Sequence, residues 1–156
     1  MFELDIPGFN VLKIQNLVFD YNGTLACDGI LISGVVSRLK RLAEDFQIHI
    51  LTADTFGTVS QQLSGMAVQL SVLPATNQAR EKLKYVLQLG ADQTVTVGNG
   101  RNDCLMLKKA AVGILVLQTE GVALETLLNA DIITPDINAA LDLLLNPLRI
   151  KATLRS

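Results

Sequence analysis

Four side chains in this sequence suit one reaction. Asp20 ends the apolar run Ile14–Phe19, which is broken only by Gln15 and Asn16. Thr52 follows IHIL, Lys82 stands near the start of the helical stretch KLKYVLQLG, and Asp103 closes the loop GNGRND after TVTV. An aspartate carboxylate can act as a nucleophile and form an aspartyl-phosphate. A threonine hydroxyl can donate to a phosphoryl oxygen, and a lysine can neutralise charge on nucleophile and phosphate together. A second aspartate can hold Mg²⁺, a cation that prefers oxygen ligands and retains water. Backbone N–H groups of Tyr21, Asn22, Gly23 and Thr24 can cradle the phosphate. Phosphoryl transfer depends mainly on such positioning and electrostatic stabilisation.

These residues need a scaffold that gathers strand ends. Short β-rich runs alternate with helix-length segments, the pattern of a parallel sheet covered by helices. Strands are expected at Lys13–Asp20, Gln47–Thr52, Ala67–Leu73, Thr94–Gly98, Gly113–Leu117 and Asp131–Thr134. Several are apolar on successive residues, as strands buried on both faces should be. Helices are expected at Gly34–Asp45, Phe56–Leu63, Gln78–Leu89, Asn102–Ala110, Val122–Asn129 and Ile137–Leu145. Ser33 and Asp136 are candidate N-caps. The first dozen residues, with Pro7-Gly8, read as a turn or hairpin against the sheet edge. In open sheets of this kind, sites form beyond the carboxyl ends of the strands. Asp20, Thr52 and the GNGRND loop all occupy such ends.

The bulk properties exclude other classes. A chain of 156 residues fits one domain, 1–156, with residues 146–156 as a C-terminal tail. That tail, with Arg149, Lys151 and Arg155, either extends the last helix past Pro147 or packs on a partner subunit. The net charge of −2 and the lack of a Lys/Arg stripe give no nucleic-acid surface. Mean hydropathy is high at +0.37. Yet the longest apolar run, Ala110–Leu117, falls far short of the roughly 20 residues that span a bilayer. No signal-peptide pattern opens the chain. Cys27 and Cys104 fit no metal spacing, so a cytoplasmic protein with reduced thiols and no membrane partner is expected.

The four pieces DYNGTL, ILTAD, EKLKYV and VGNGRND resemble, in order and spacing, the haloacid dehalogenase (HAD) superfamily of phosphatases and phosphotransferases. The family pattern is a strand ending D-x-D-G-T, a strand ending in Thr or Ser, a helix-borne Lys, and an acidic loop. The stretch GNGRNDCLMLKKAAVGI is especially similar to the phosphorylation domain of P-type cation-transporting ATPases and to small soluble proteins like it. The resemblance implies Asp20 as nucleophile and Thr52 as phosphate ligand. It implies Lys82 as the motif lysine, with Lys84 as runner-up. Phosphate contacts are implied at Tyr21, Asn22, Gly23, Thr52, Ala53 and Lys82, and Mg²⁺ ligands at Asp20, Asn22, Asn99 and Asp103.

It also implies a three-layer α/β/α Rossmann-like sheet of central order 3-2-1-4-5. Ala26–Ile32 becomes a small β-hairpin flap turning at Asp28-Gly29. The intervals Asp20–Thr52 and Thr52–Lys82 are too short for a cap domain. A capless site is open, suited to a macromolecular phosphorylated substrate or to completion by a homo-oligomer.

Two positions depart from the family pattern. Asn22 stands where phosphatases of the family carry an acid/base Asp. An amide hydrogen-bonds but does not exchange a proton in that way. Asn99 stands where the family carries its principal Mg²⁺-binding Asp. Both are followed by glycine, the context most prone to deamidation. Two readings result: a slow Mg²⁺-dependent phosphatase or phosphotransferase, or a regulatory phosphate-binding protein on the same fold. A receiver domain fits less well, because no acidic pair precedes the acceptor strand. Around the site, Asp54 is read as a site residue or a helix cap and Arg101 as a rim residue. His49 and Cys104 are read as core.

Overall fold

The structure is a computed structural model that describes residues 2–54 and 57–156. The chain opens with a hairpin, β1 (Phe2–Ile6) and β2 (Asn10–Ile14), then β3 (Asn16–Asp20). A flap of β4 (Ala26–Cys27) and β5 (Ile30–Leu31) follows, then α1 (Val35–Leu42), β6 (Gln47–Thr52), α2 (Thr58–Gln62) and β7 (Val68–Val72). The second half runs α3 (Gln78–Leu89), β8 (Thr94–Gly98), α4 (Cys104–Lys109), β9 (Val112–Val116) and α5 (Leu124–Leu127). It ends with β10 (Ile132–Thr134), α6 (Ile137–Leu145) and α7 (Pro147–Leu154).

Six strands form one parallel sheet in the order β10-β9-β8-β3-β6-β7. Counted from β3, this is the expected 3-2-1-4-5 with a sixth strand at the far edge. Every residue of β3, β8 and β9 is buried, because helices cover both faces. Burial of Leu17, Val18 and Phe19 contributes about 1.5–3 kcal/mol for each side chain. The central place of β3 therefore follows from its sequence, and it carries Asp20 to the middle of the carboxyl edge.

The helices use narrow apolar stripes. Val35, Leu39 and Leu42 of α1 face the core at helical spacing. Helices α1 and α6 pack together and are tied by Arg38, which donates from Nε and Nη2 to both Asp142 oxygens at 2.8 and 3.1 Å. Asp136 caps α6, its Oδ1 accepting from the Ala139 N–H at 2.8 Å. In the flap, Asp28 and Gly29 both have positive φ (50° and 79°), as a tight hairpin turn of mirror-image type requires.

Four expectations need correction. The strand Lys13–Asp20 is two strands, because the chain leaves the hairpin at Gln15 and joins the parallel sheet at Asn16. The hairpin is a separate two-stranded sheet. It lies at the amino end of the strands, with Phe2 edge-on to Phe46 at 5.4 Å and Gln15 N–H bonded to Gln93 O. Ser33 is not the cap of α1. Gly34 holds that position at φ 89°, without a side-chain bond, while the Ser33 carbonyl accepts from Asn138. The tail forms its own helix, α7, starting at Pro147 where a missing N–H costs nothing. It buries Ile150 and packs on β1. The expected start of the second helix at Phe56 lies outside the described residues.

Candidate active site

Register sets the geometry. Asp20 pairs with Leu51 of β6, and Phe19 with Val97 of β8. Thr52 and Gly98 therefore flank the end of β3. Helix α3 brings Lys82 across from behind. Its ammonium donates to Asp20 Oδ1 and to Asp103 Oδ1, each at 2.6 Å. The lysine side chain is 2% exposed, and those of Asp20 and Asp103 are 10% and 0%. A buried lysine is tolerated only when its charge is paired. Here one cation serves two carboxylates, leaving one net negative charge.

That imbalance sets the titration. Burial first, then repulsion from Asp103, pushes the Asp20 carboxyl up to about 7, against the opposing pull of Lys82. The carboxylates on either side hold Lys82 above its ordinary range despite its burial. Thr24 Oγ donates to the other Asp20 oxygen at 3.3 Å. Asp103 Oδ2 accepts from the backbone N–H groups of Asn99 and Gly100, each at 3.0 Å. Asp103 thus anchors both the lysine and the GNGRND loop. Gly98 must be glycine for this, since a Cβ there would sit 2.5 Å from Asp103 Cγ.

In front of this triad lies a cavity of about 480 Å³. Asp20, Asn22, Thr52, Ala53, Asn99 and Glu120 line it. Thr52 Oγ1 accepts from the Asp54 N–H at 3.1 Å, which orients the hydroxyl. Asn99 Nδ2 donates to Gly121 O at 3.0 Å, leaving Oδ1 as its acceptor atom. Tyr21 and Gly23, expected as phosphate contacts, flank the cavity residue Asn22 in the chain and are not themselves among the lining residues. The Tyr21 ring is buried, and its hydroxyl donates to Gly29 O of the flap at 3.2 Å.

The expected residues therefore fall into two layers. Asp20, Asn22, Thr52, Ala53 and Asn99 face the cavity; Lys82 and Asp103 lie behind it. Asp103, expected among the metal ligands, does not line the cavity. Lys84 is exposed on the outer face of α3. Arg101 is at the surface, paired with Glu125 at 3.2 Å, and Asp54 Oδ2 accepts from Thr58 Oγ1 at 3.1 Å. Cys104 is buried. His49 is core, with Nδ1 2.9 Å from the Tyr85 hydroxyl. The donors on the cavity wall are oxygens of carboxylate and amide type, which suits Mg²⁺ in preference to softer metals.

The fold is that of HAD superfamily hydrolases without a cap domain among the described residues. A cobalt-bound deoxy-D-mannose-octulosonate 8-phosphate phosphatase from Haemophilus influenzae matches with a TM-score of 0.71 at 13% identity, over 92% of this chain and 94% of that one. The 3-deoxy-D-manno-octulosonate 8-phosphate phosphatase of Moraxella catarrhalis, solved with a magnesium ion, a phosphate ion and KDO, matches with a TM-score of 0.66 at 17% identity, over 86% of this chain and 87% of that one. No family model matches the chain. In sequence it is 47% identical over 78 residues to "uncharacterized protein MJ0073" of Methanocaldococcus jannaschii, covering 47% of this chain and 84% of that protein. It is 49% identical over 39 residues to MJ0072 of the same organism, covering 25% and 89%. The chain belongs to the family that MJ0073 represents.

Sequence reasoning missed Glu120 and Gln118. Both sit in the loop after β9, another strand end on the same edge. That position was the available signal; their residue types alone carried none.

Proposed function

We propose that this chain is a Mg²⁺-dependent phosphatase or phosphotransferase that works through an aspartyl-phosphate on Asp20. The observation that carries the reading is the buried Asp20–Lys82–Asp103 triad at the centre of the sheet edge, opening on an oxygen-lined cavity. The fold it shares with phosphatases solved with magnesium or cobalt supports the same chemistry.

An Asp20 oxygen attacks phosphorus as the bond to the leaving oxygen breaks. Lys82 holds the nucleophile in place and offsets its charge. Thr52 and the Tyr21–Thr24 backbone bind the phosphoryl oxygens. Asp20, the Asn22 carbonyl and Asn99 would hold Mg²⁺, with Asp103 fixing the Asn99 loop from behind. When bound, the metal neutralises charge on the transferring group. With no acid at position 22, the leaving oxygen takes its proton from water. In the second step water attacks phosphorus, the bond to Asp20 breaks to free its carboxylate, and the attacking water's proton passes to bulk solvent. Asn22 cannot accept the proton that water gives up, so release is the slow step.

The rival is a phosphate-binding regulatory protein, favoured by the paired amides at Asn22 and Asn99. Incubation with Mg²⁺ and a generic phosphate ester separates the two. The parent should turn over slowly, Asp20→Asn should abolish turnover, and Asn22→Asp should speed release about 100- to 10,000-fold. Turnover that survives Asp20→Asn would remove the nucleophile assignment. Phosphate-analogue binding without turnover or a phosphoenzyme would favour the rival.

A further inference from the structure

We infer that Glu120 is a metal ligand of this site, supplying from the β9–α5 loop the negative charge that Asn99 lacks. The inference rests on reading the cavity as a phosphoryl-transfer site and adds a residue that neither motif spacing nor fold likeness assigns.

Among the described residues that line the cavity, the carboxylates are Asp20 and Glu120. Glu120 Oε2 and the Asn99 amide both border Gly23. A Cβ built on Gly23 would lie 2.6 Å from Glu120 Oε2, 3.0 Å from Asn99 Nδ2 and 3.1 Å from Asn99 Oδ1. Gly23 (φ 79°), having no side chain, thus leaves room for both the carboxylate and the amide beside it.

The loop carrying Glu120 is pinned on both sides to the two substituted motifs. Gln118 Nε2 donates to Gly23 O at 2.7 Å and to Thr24 O at 2.9 Å. Gln118 Oε1 accepts from the Ile137 N–H at 3.1 Å. Beyond Glu120, Gly121 O accepts from Asn99 Nδ2, and the Ala123 N–H donates to Asn99 O at 3.2 Å. The Gly121 N–H donates to Gln118 O at 3.3 Å and closes the turn. Glu120 is therefore held over Gly23 and Asn99 by bonds to those same segments. An amide oxygen ligates Mg²⁺ without charge, and carboxylate count tunes the affinity of such oxygen sites.

Cys27 Sγ and the Asp28 carboxylate also lie within 4.8 Å of the Glu120 carboxylate. That trio forms a lip where the flap, with half-buried Cys27 and exposed Asp28, faces Glu120. A thiolate suits softer cations than Mg²⁺, so the cavity side, with its oxygen donors, is the assigned partner.

Mn²⁺, a spectroscopic stand-in for Mg²⁺, provides the test. Its affinity for the purified protein is measured by electron paramagnetic resonance, alongside phosphoenzyme formation. Glu120→Gln, an isosteric change at an exposed side chain, should weaken Mn²⁺ binding about tenfold or more. Adding Asn99→Asp to that variant should restore it. Cys27→Ser and Glu44→Gln, the latter at the amino end of the sheet, should bind as the parent does. Unchanged affinity in Glu120→Gln overturns the inference, as does an equal loss in Cys27→Ser, which would move the cation to the flap lip. If Glu120→Gln keeps its affinity while Asp20 is still phosphorylated, this assignment fails alone. If the parent takes up neither Mn²⁺ nor a phosphoryl group, the assignment and the proposed function fail together.

Discussion

At the residue scale, the shared lysine dominates the electrostatics. Asp20 ionises only when pH passes about 7, against an ordinary value of 3.8. Its native pKa is the higher, so the native metal-free state binds more protons than the unfolded chain between those values. Stability from this group is full below about pH 4 and is lost as pH rises toward 7. Asp20→Asn removes that loss and leaves Lys82 paired one-to-one with Asp103. In metal-free protein, the stability advantage of Asp20→Asn over the parent should therefore grow from pH 4 to pH 7. Denaturant melts at each pH check this; a constant difference would contradict the burial account. His49, whose pKa is lowered by burial, loses stability as pH falls below its ordinary 6.5 in both proteins, so it cancels.

The same scale shows what the sequence could say. Asp20, Thr52 and Lys82 were legible because each ends a strand or opens a helix at a fixed interval. The resemblance implies Lys82 rather than Lys84, and Lys82 is the buried one. The direction in which Asp103 turns was not legible. Whether a loop carboxylate faces a cavity or a buried cation depends on the backbone it must also anchor. Nor were the hydrogen bonds that hold the two Asn-Gly pairs. Deamidation needs the following backbone nitrogen to attack the side chain, and both nitrogens are engaged, Gly23 with Ala26 O at 2.8 Å and Gly100 with Asp103 Oδ2 at 3.0 Å.

At the element scale, α3 is the part that decides the site, because it must hold a charged residue against the sheet. One turn beyond Lys82, the Tyr85 hydroxyl lies 2.9 Å from His49 Nδ1 on β6 and accepts from Ser71 Oγ on β7 at 3.2 Å. This polar clamp fixes the helix over two strands. Tyr85→Phe strips the bond from buried His49 and should lower stability by about 1–3 kcal/mol. The drop should appear as a lower denaturant midpoint with an unchanged slope. A neutral result would mean that apolar packing alone holds α3. The limits of α3, β6, β8 and α6 were readable from periodicity and punctuation. The break at Gln15 was not, because β2 and β3 are both apolar enough to read as one strand. Which partner each half pairs with is a tertiary choice.

At the scale of the whole molecule, the two ends of the sheet have different tasks. The hairpin, the Ala91–Gln93 turn and α7 close the amino end, where Ile6, Leu12, Ile14 and Ile150 are buried. Among the described residues, the small flap and the β9–α5 loop border the carboxyl end, and no cap domain covers it. Among the described residues no helix is long and apolar enough to cross a membrane. The parallel sheet was legible because strand and helix runs alternate along the entire chain, whereas its strand order was implied by the HAD resemblance. The seating of the Glu120 loop on the Gly23–Thr24 turn was not legible, because Gln118 joins segments about a hundred residues apart through side-chain bonds. The open end makes a direct measurement feasible, since a small phosphoryl donor can reach Asp20 without a cap moving. The protein, with Mg²⁺ and a small acyl phosphate, is quenched in acid and digested, and the phosphopeptide is located by mass spectrometry. The account predicts a phosphoryl group on the peptide that contains Asp20, absent without Mg²⁺ and in Asp20→Asn. A phosphoryl group on any other residue, or turnover of the donor with the Asp20 peptide left unmodified throughout, would contradict it.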